Sequence, residues 1–140
     1  MGMQYTNLGS TGLKVSRMCL GTTNFGVYQE ESKDIEIVNE AIEMGINFFD
    51  SANGYARGKS EEILGKALKG KREDFVVATK CWSQNPTGGG LNNKGSSRVN
   101  ILRSVEGCLK RLQTDYIDLF IMHRPDEVVP DLGKNPTPTE

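Results

Sequence analysis

The chain has 140 residues, 36% hydrophobic and 25% charged, enough for one domain with a sizeable core and too apolar for a disordered chain. A formal net charge of −1 supplies no global field to draw in nucleic acid or an anionic membrane. No apolar run reaches the roughly 18 residues of a membrane span, and the opening MGMQYTNLGSTGLKVS has neither an apolar core nor a basic leader, so the chain reads as cytoplasmic, with no nucleic-acid or membrane partner.

In chain order, Tyr5 to Leu8 and Leu13 to Val15 flank the turn Gly9-Ser10-Thr11-Gly12 and predict a short hairpin. Ser16 to Leu20 follows as a first buried strand ending in the small-residue loop Gly21 to Gly26. Ser32 is placed to cap a helix carrying Ile35, Val38 and Ile42, with Gly45 as its stop. A second strand, Ile46 to Asp50, leads to a helix opened by Ser60, with Ile63, Leu64, Ala67 and Leu68 on one face. The β-branched run Phe75 to Thr79 ends in Lys80, and a Pro-, Asn- and Gly-rich loop runs from Cys81 to Gly95. Ser97 caps a third helix with Ile101, Leu102, Val105, Leu109 and Leu112, and Tyr116 to Met122 forms a last strand ending in His123. From Glu127 on, EVVPDLGKNPTPTE has three prolines and no apolar stripe, and reads as a mobile tail outside the domain of residues 1–126.

Alternating strands and helices with unalternated apolar strands predict a parallel α/β sheet covered by helices, either open or curved into part of a barrel. In both cases the strands' carboxyl ends carry the site, and those ends hold Thr22, Asp50, Lys80 and His123, with Tyr55 in the loop after Asp50. These residue types suit proton donation to a carbonyl oxygen as hydride reaches its carbon. A free phenol has a pKa near ~10, too high for ready donation, and an adjacent ammonium stabilises the phenolate that forms. Lys80 is that ammonium, Asp50 holds it by an ion pair, and neutral His123 orients the carbonyl through a ring N–H. Taken singly, each residue has a plainer reading: a turn former, a loop aromatic, a solvated lysine and a structural histidine. Their shared location favours the functional one.

Other features favour ordinary roles. Cys19, Cys81 and Cys108 are odd in number, without a CxxC spacing, and read as reduced thiols. Lys80 beside Cys81 is a weak signal for a reactive thiol, and a small buried hydrophobe is the preferred role. His123 is the only histidine, so no metal centre is expected. Gly88-Gly89-Gly90 lacks the flanking pattern of a phosphate loop and reads as a flexible substrate loop, while Lys66, Lys69, Lys71 and Arg72 form a solvated helix end.

The segments LGSTGLKVS, LGTTNFG, GINFFDSANGYARGKSEEILGKAL, VVATK and LKRLQTDYIDLFIMHRPD, in this order, resemble the amino-terminal half of an aldo-keto reductase over about Tyr5 to Asp126. The resemblance implies the first half of a (β/α)8 barrel, NADPH-dependent reduction of an aldehyde or ketone, and a catalytic tetrad of Asp50, Tyr55, Lys80 and His123. It also implies that Gly21, Thr22 and Thr23 lie against the cofactor, with Asp50 near its nicotinamide ribose. A full barrel takes roughly 250 residues. Four strands without the later cofactor-gripping loops imply weak or absent NADPH binding and doubtful activity for this chain alone, the alternative being a non-catalytic fragment or binding module. Its outer strands, at Met18-Cys19-Leu20 and Leu119-Phe120-Ile121, would then favour self-association through exposed barrel edges.

Overall fold

The computed structural model describes residues 2–86 and 88–126. Strands β1 (Tyr5–Asn7) and β2 (Lys14–Ser16) pair antiparallel with Tyr5 opposite Ser16, as the turn glycines predict. Four strands, β3 (Leu20–Gly21), β4 (Phe48–Asp50), β5 (Val76–Cys81) and β6 (Leu119–Met122), form a parallel sheet in sequential order. Helices α1 (Glu31–Glu43), α2 (Lys59–Ala67) and α3 (Arg98–Leu112) make the three crossovers. Phe49 and Val77 project from the sheet into a core with Val38 of α1, Ile63 and Leu64 of α2, and Leu112 of α3. None of these helices is long and apolar enough to cross a membrane. The predicted tail, from Glu127, lies outside the described residues.

The first strand is shorter than expected, because Ser16 turns the chain. Its backbone N–H donates to Asn47 Oδ1 (2.7 Å) and its hydroxyl to the Met18 carbonyl (2.6 Å). Arg17, Met18 and Cys19 are exposed as a result, and only Leu20 and Gly21 join the ladder. The last strand also begins late. Asp118 Oδ2 accepts from Val77 N–H (2.9 Å) and from Arg72 (2.5 Å), so a side chain occupies the donor that a longer β6 would have paired. Conversely, β5 continues through Lys80 and Cys81.

Two of the three serine caps are misplaced. Helix α1 starts at Glu31, and its first-turn Asp34 is buried because it accepts from Gly26 N–H (2.7 Å) and Gln29 (2.6 Å), tying down the preceding loop. Helix α2 starts at Lys59 after Gly58, whose left-handed φ of 89° makes the turn, leaving Ser60 inside the helix. Ser97 does cap α3, accepting from Asn100 N–H (3.3 Å). The buried face of α3 is rotated from the apolar stripe: Leu102 and Val99 are exposed, whereas Asn100, Ser104, Gly107, Cys108 and Arg111 are buried with Leu112.

An ion pair accounts for that rotation. Arg111 Nε lies 2.7 Å from Glu61 Oε2, and Glu61 Oε1 accepts from the Thr79 hydroxyl at 2.5 Å, with all three residues buried. Glycines let the helices close around it: a Cβ at Gly65 would stand 2.6 Å from the Leu112 carbonyl oxygen, and one at Gly58 would stand 2.6 Å from Arg111 Cδ. Removing one member of such a pair leaves an uncompensated buried charge, so Arg111→Met should lower unfolding free energy by roughly 3–5 kcal/mol in urea titration. The double variant Glu61→Leu/Arg111→Met should recover most of that loss.

Candidate active site

The carboxyl ends of β4, β5 and β6 bring together all four residues assigned to the catalytic set. Asp50 closes β4, Lys80 lies in β5, and His123 follows β6, aligned by its backbone N–H donating to the Cys81 carbonyl (2.8 Å). The Lys80 ammonium donates to Asp50 Oδ2 (2.6 Å), the Ser51 carbonyl (2.7 Å) and the Tyr55 phenol oxygen (3.2 Å). The Tyr55 and His123 rings meet edge-on, their centroids 5.6 Å apart.

Tyr55 is held there by an unusual turn. Its N–H donates to the Ala52 carbonyl (3.1 Å), and the next three residues, Ala56, Arg57 and Gly58, have φ of 47°, 54° and 89°. Left-handed backbone is unfavourable for alanine and arginine, a cost of order 1–3 kcal/mol per residue that surrounding packing must offset. Trp82, two residues beyond Lys80, has φ 136° and its indole Nε1 is buried without a hydrogen-bond partner. Strained backbone thus sits on both sides of the lysine.

A hydroxyl network underlies the site. Ser60 donates to the Thr22 carbonyl (2.8 Å) and lies 2.7 Å from Thr22 Oγ1, while Thr22 Oγ1 donates to the Asp50 carbonyl (3.1 Å). Ser51 Oγ is 3.1 Å from Ser60 Oγ. Sequence reasoning took Ser60 for a cap and did not find this role. The available signal was the pair of hydroxyl residues just beyond apolar strands, Thr22 and Ser51; nothing local marked Ser60, which lies in α2. Of the expected cofactor loop, Gly21 and Thr23 are exposed on the rim, and Thr22 is wholly buried. A Cβ at Gly21 would meet nothing within 4 Å. Gly21, Thr23 and the half-buried Asp50 thus present open surface at this rim.

The loop after β5 is irregular but tied. Asn93, within this loop, is buried and donates through Nδ2 to the Asn85 (2.9 Å) and Gly88 (2.8 Å) carbonyls. Asn53 is also wholly buried, with neither amide atom partnered. Burial pushes the Cys81 thiol up to about 11, which removes the reactive-thiol reading despite the adjacent Lys80.

The model of the family described as "Aldo/keto reductase family" matches residues 17–136. The chain belongs to the aldo/keto reductase family. It is 48% identical to the "Uncharacterized oxidoreductase YrpG" of Bacillus subtilis (strain 168), the match covering 91% of this chain and 42% of that protein. It is 42% identical to "Aldo-keto reductase YhdN" of the same organism, covering 91% and 40%. The holo form of aldo-keto reductase AKR11C1 from Bacillus halodurans superposes with a TM-score of 0.75 at 38% identity, over 84% of this chain and 39% of that one. The chain therefore spans about two-fifths of the length of these relatives, and the parallel sheet corresponds to part of a TIM barrel.

Desolvation depresses the His123 pKa below its ordinary 6.5, with the Lys80 and Arg124 charges acting the same way and Asp50 opposing. Below 6.5 the unfolded chain binds a proton that the folded chain resists, so this histidine withdraws stability as pH falls through 6.5 towards its folded value. Thermal midpoints should drop between neutral and mildly acidic pH, and the drop should shrink in His123→Asn. Because His123 is the only histidine, its imidazole proton resonance can be followed directly. A midpoint at or above 6.5 would contradict the assignment.

Proposed function

We propose that this chain carries the acid–base residues of an NADPH-dependent carbonyl reductase, with Tyr55 as proton donor. One observation carries the reading: the Lys80 ammonium, anchored on Asp50 at 2.6 Å, donates to the Tyr55 oxygen at 3.2 Å. Since the phenol oxygen already accepts from Lys80, the phenol's own hydrogen is free to point towards a substrate oxygen. A bound reduced nicotinamide would supply the hydride for the new C–H bond. As the carbonyl oxygen gains charge, the Tyr55 O–H bond breaks and its proton passes to that oxygen, giving an alcohol. The phenolate left behind is stabilised by Lys80 and regains a proton from solvent. His123, kept neutral at physiological pH by its depressed pKa, offers a ring N–H to the carbonyl without competing for the Tyr55 proton.

Gly21, Thr23 and Asp50 are the residues that would face the nicotinamide ribose, and the substrate is an aldehyde or ketone. The test measures aldehyde-dependent NADPH consumption together with the fluorescence change of Trp82, the single tryptophan, on NADPH titration. Tyr55→Phe should slow reduction by roughly 10²–10⁴-fold, the range for a positioned general acid, and leave the fluorescence titration unchanged. Unaltered turnover in Tyr55→Phe would remove the tyrosine from the mechanism.

A second reading, a non-catalytic module acting by association, is favoured by the outer sides of β3 and β6, which have no ladder partner among the described residues. Open parallel edges are templates for pairing with another chain. Under this reading sedimentation of the 140-residue chain shows concentration-dependent self-association, and a compact stable monomer counts against it.

A further inference from the structure

Beside the tetrad, two cations are gathered around one ring. Lys94 Nζ lies 4.5 Å from the centroid of the Trp82 indole and the Arg124 guanidinium carbon 5.5 Å from it. They reach it from separate segments of the chain. Lys94 comes from the loop after β5, while Arg124 directly follows His123, whose backbone bond to Cys81 sets the end of β6 beside Trp82. Neither cation has a carboxylate within ion-pair distance among the described residues. Two acids of this region are engaged by other groups: Asp126 accepts from Ser96 N–H (2.7 Å), and Asp50 is paired with Lys80.

Two like charges gathered at one indole ring repel each other, and an anion that reaches both relieves that cost while gaining charge-assisted hydrogen bonds. Within the tetrad the Lys80 and Asp50 charges offset one another, so the excess positive charge at this mouth comes from Lys94 and Arg124. We propose that Lys94 and Arg124, arrayed on Trp82, are specificity determinants that receive the anionic group of a carbonyl substrate, so that the preferred substrates are aldehydes or ketones also bearing a carboxylate. The inference rests on the carbonyl-reductase reading of the tetrad. It adds which carbonyl compounds the site selects.

Trp82 is the only tryptophan and carries both cations, so its fluorescence reads occupancy directly. The full chain, without cofactor, is titrated with para-(hydroxymethyl)benzoate and with benzyl alcohol, reduction products that differ by one carboxylate and form no imine with lysine. Saturable quenching is expected at ~tenfold lower concentration for the carboxylate, weakened by added salt. The preference should vanish in Lys94→Met/Arg124→Met. Both residues are exposed, and an unchanged far-ultraviolet circular dichroism spectrum verifies that the variant folds. Equal responses to the two compounds, no saturable response to the carboxylate, or a preference that survives in the double variant each overturn the proposal. No hydride transfer is measured, so failure here is distinct from failure of the reductase reading, which the Tyr55→Phe turnover decides.

Discussion

Lys80 is the node on which the arrangement depends. A largely buried ammonium is costly unless its donors are satisfied, and here three acceptors surround it: the Asp50 carboxylate and Ser51 carbonyl at the end of β4 and the Tyr55 phenol of the following loop. Those bonds clamp the end of β4 to β5 and draw in the loop carrying Tyr55. The same contacts that remove the desolvation cost hold the Tyr55 phenol against the ammonium, so one set of interactions sustains the buried charge and the geometry on which the proposed proton donation rests. The left-handed run Ala56 to Gly58 is tolerated because the chain must reverse sharply to deliver the phenol to that ammonium.

The neighbouring residue on β5 does the complementary work. Successive strand residues point to opposite faces, so while Lys80 faces the site, Thr79 faces the helices and donates to Glu61, which in turn holds Arg111. One strand therefore carries a polar node on each side, and α3 is oriented by charge as much as by its apolar stripe. Close approach of glycines to the Arg111 side chain and the Leu112 backbone gives this node its room. Displacing α3 would disturb Thr79 and, one residue away, the lysine of the site.

The carboxyl end of the sheet combines a charge-balanced Asp50–Lys80 pair with two further cations at Trp82. Within the tetrad, the Lys80 and Asp50 charges offset each other, and burial together with the nearby cations disfavours protonation of His123. Trp82 lies beside both Lys94 and Arg124, the pair proposed to receive an anionic group. Relatives more than twice as long share this amino-terminal portion, and the sheet has the topology of the opening strands of their barrel.

The sequence by itself determined the order of strands and helices, the hairpin, the Ser97 cap and the residues at the strands' carboxyl ends, because these follow from local periodicity, turn chemistry and the parallel α/β rule. The aldo-keto reductase family was also legible, through separated segments in order. Tertiary structure alone decided the rest. Ser16 and Asp118 cut strands short by spending side-chain hydrogen bonds on distant backbone groups, and no local pattern records such partners. Ser60 looked like a cap because serine before an apolar run usually is one, and it became a buried strut only once Thr22 was folded against it. Glu61 and Arg111 stand fifty residues apart on helices where charge normally means solvent, so their burial became apparent only when glycines let those helices meet. Burial and pairing are properties of what lies across the fold, and that is where sequence reading stopped.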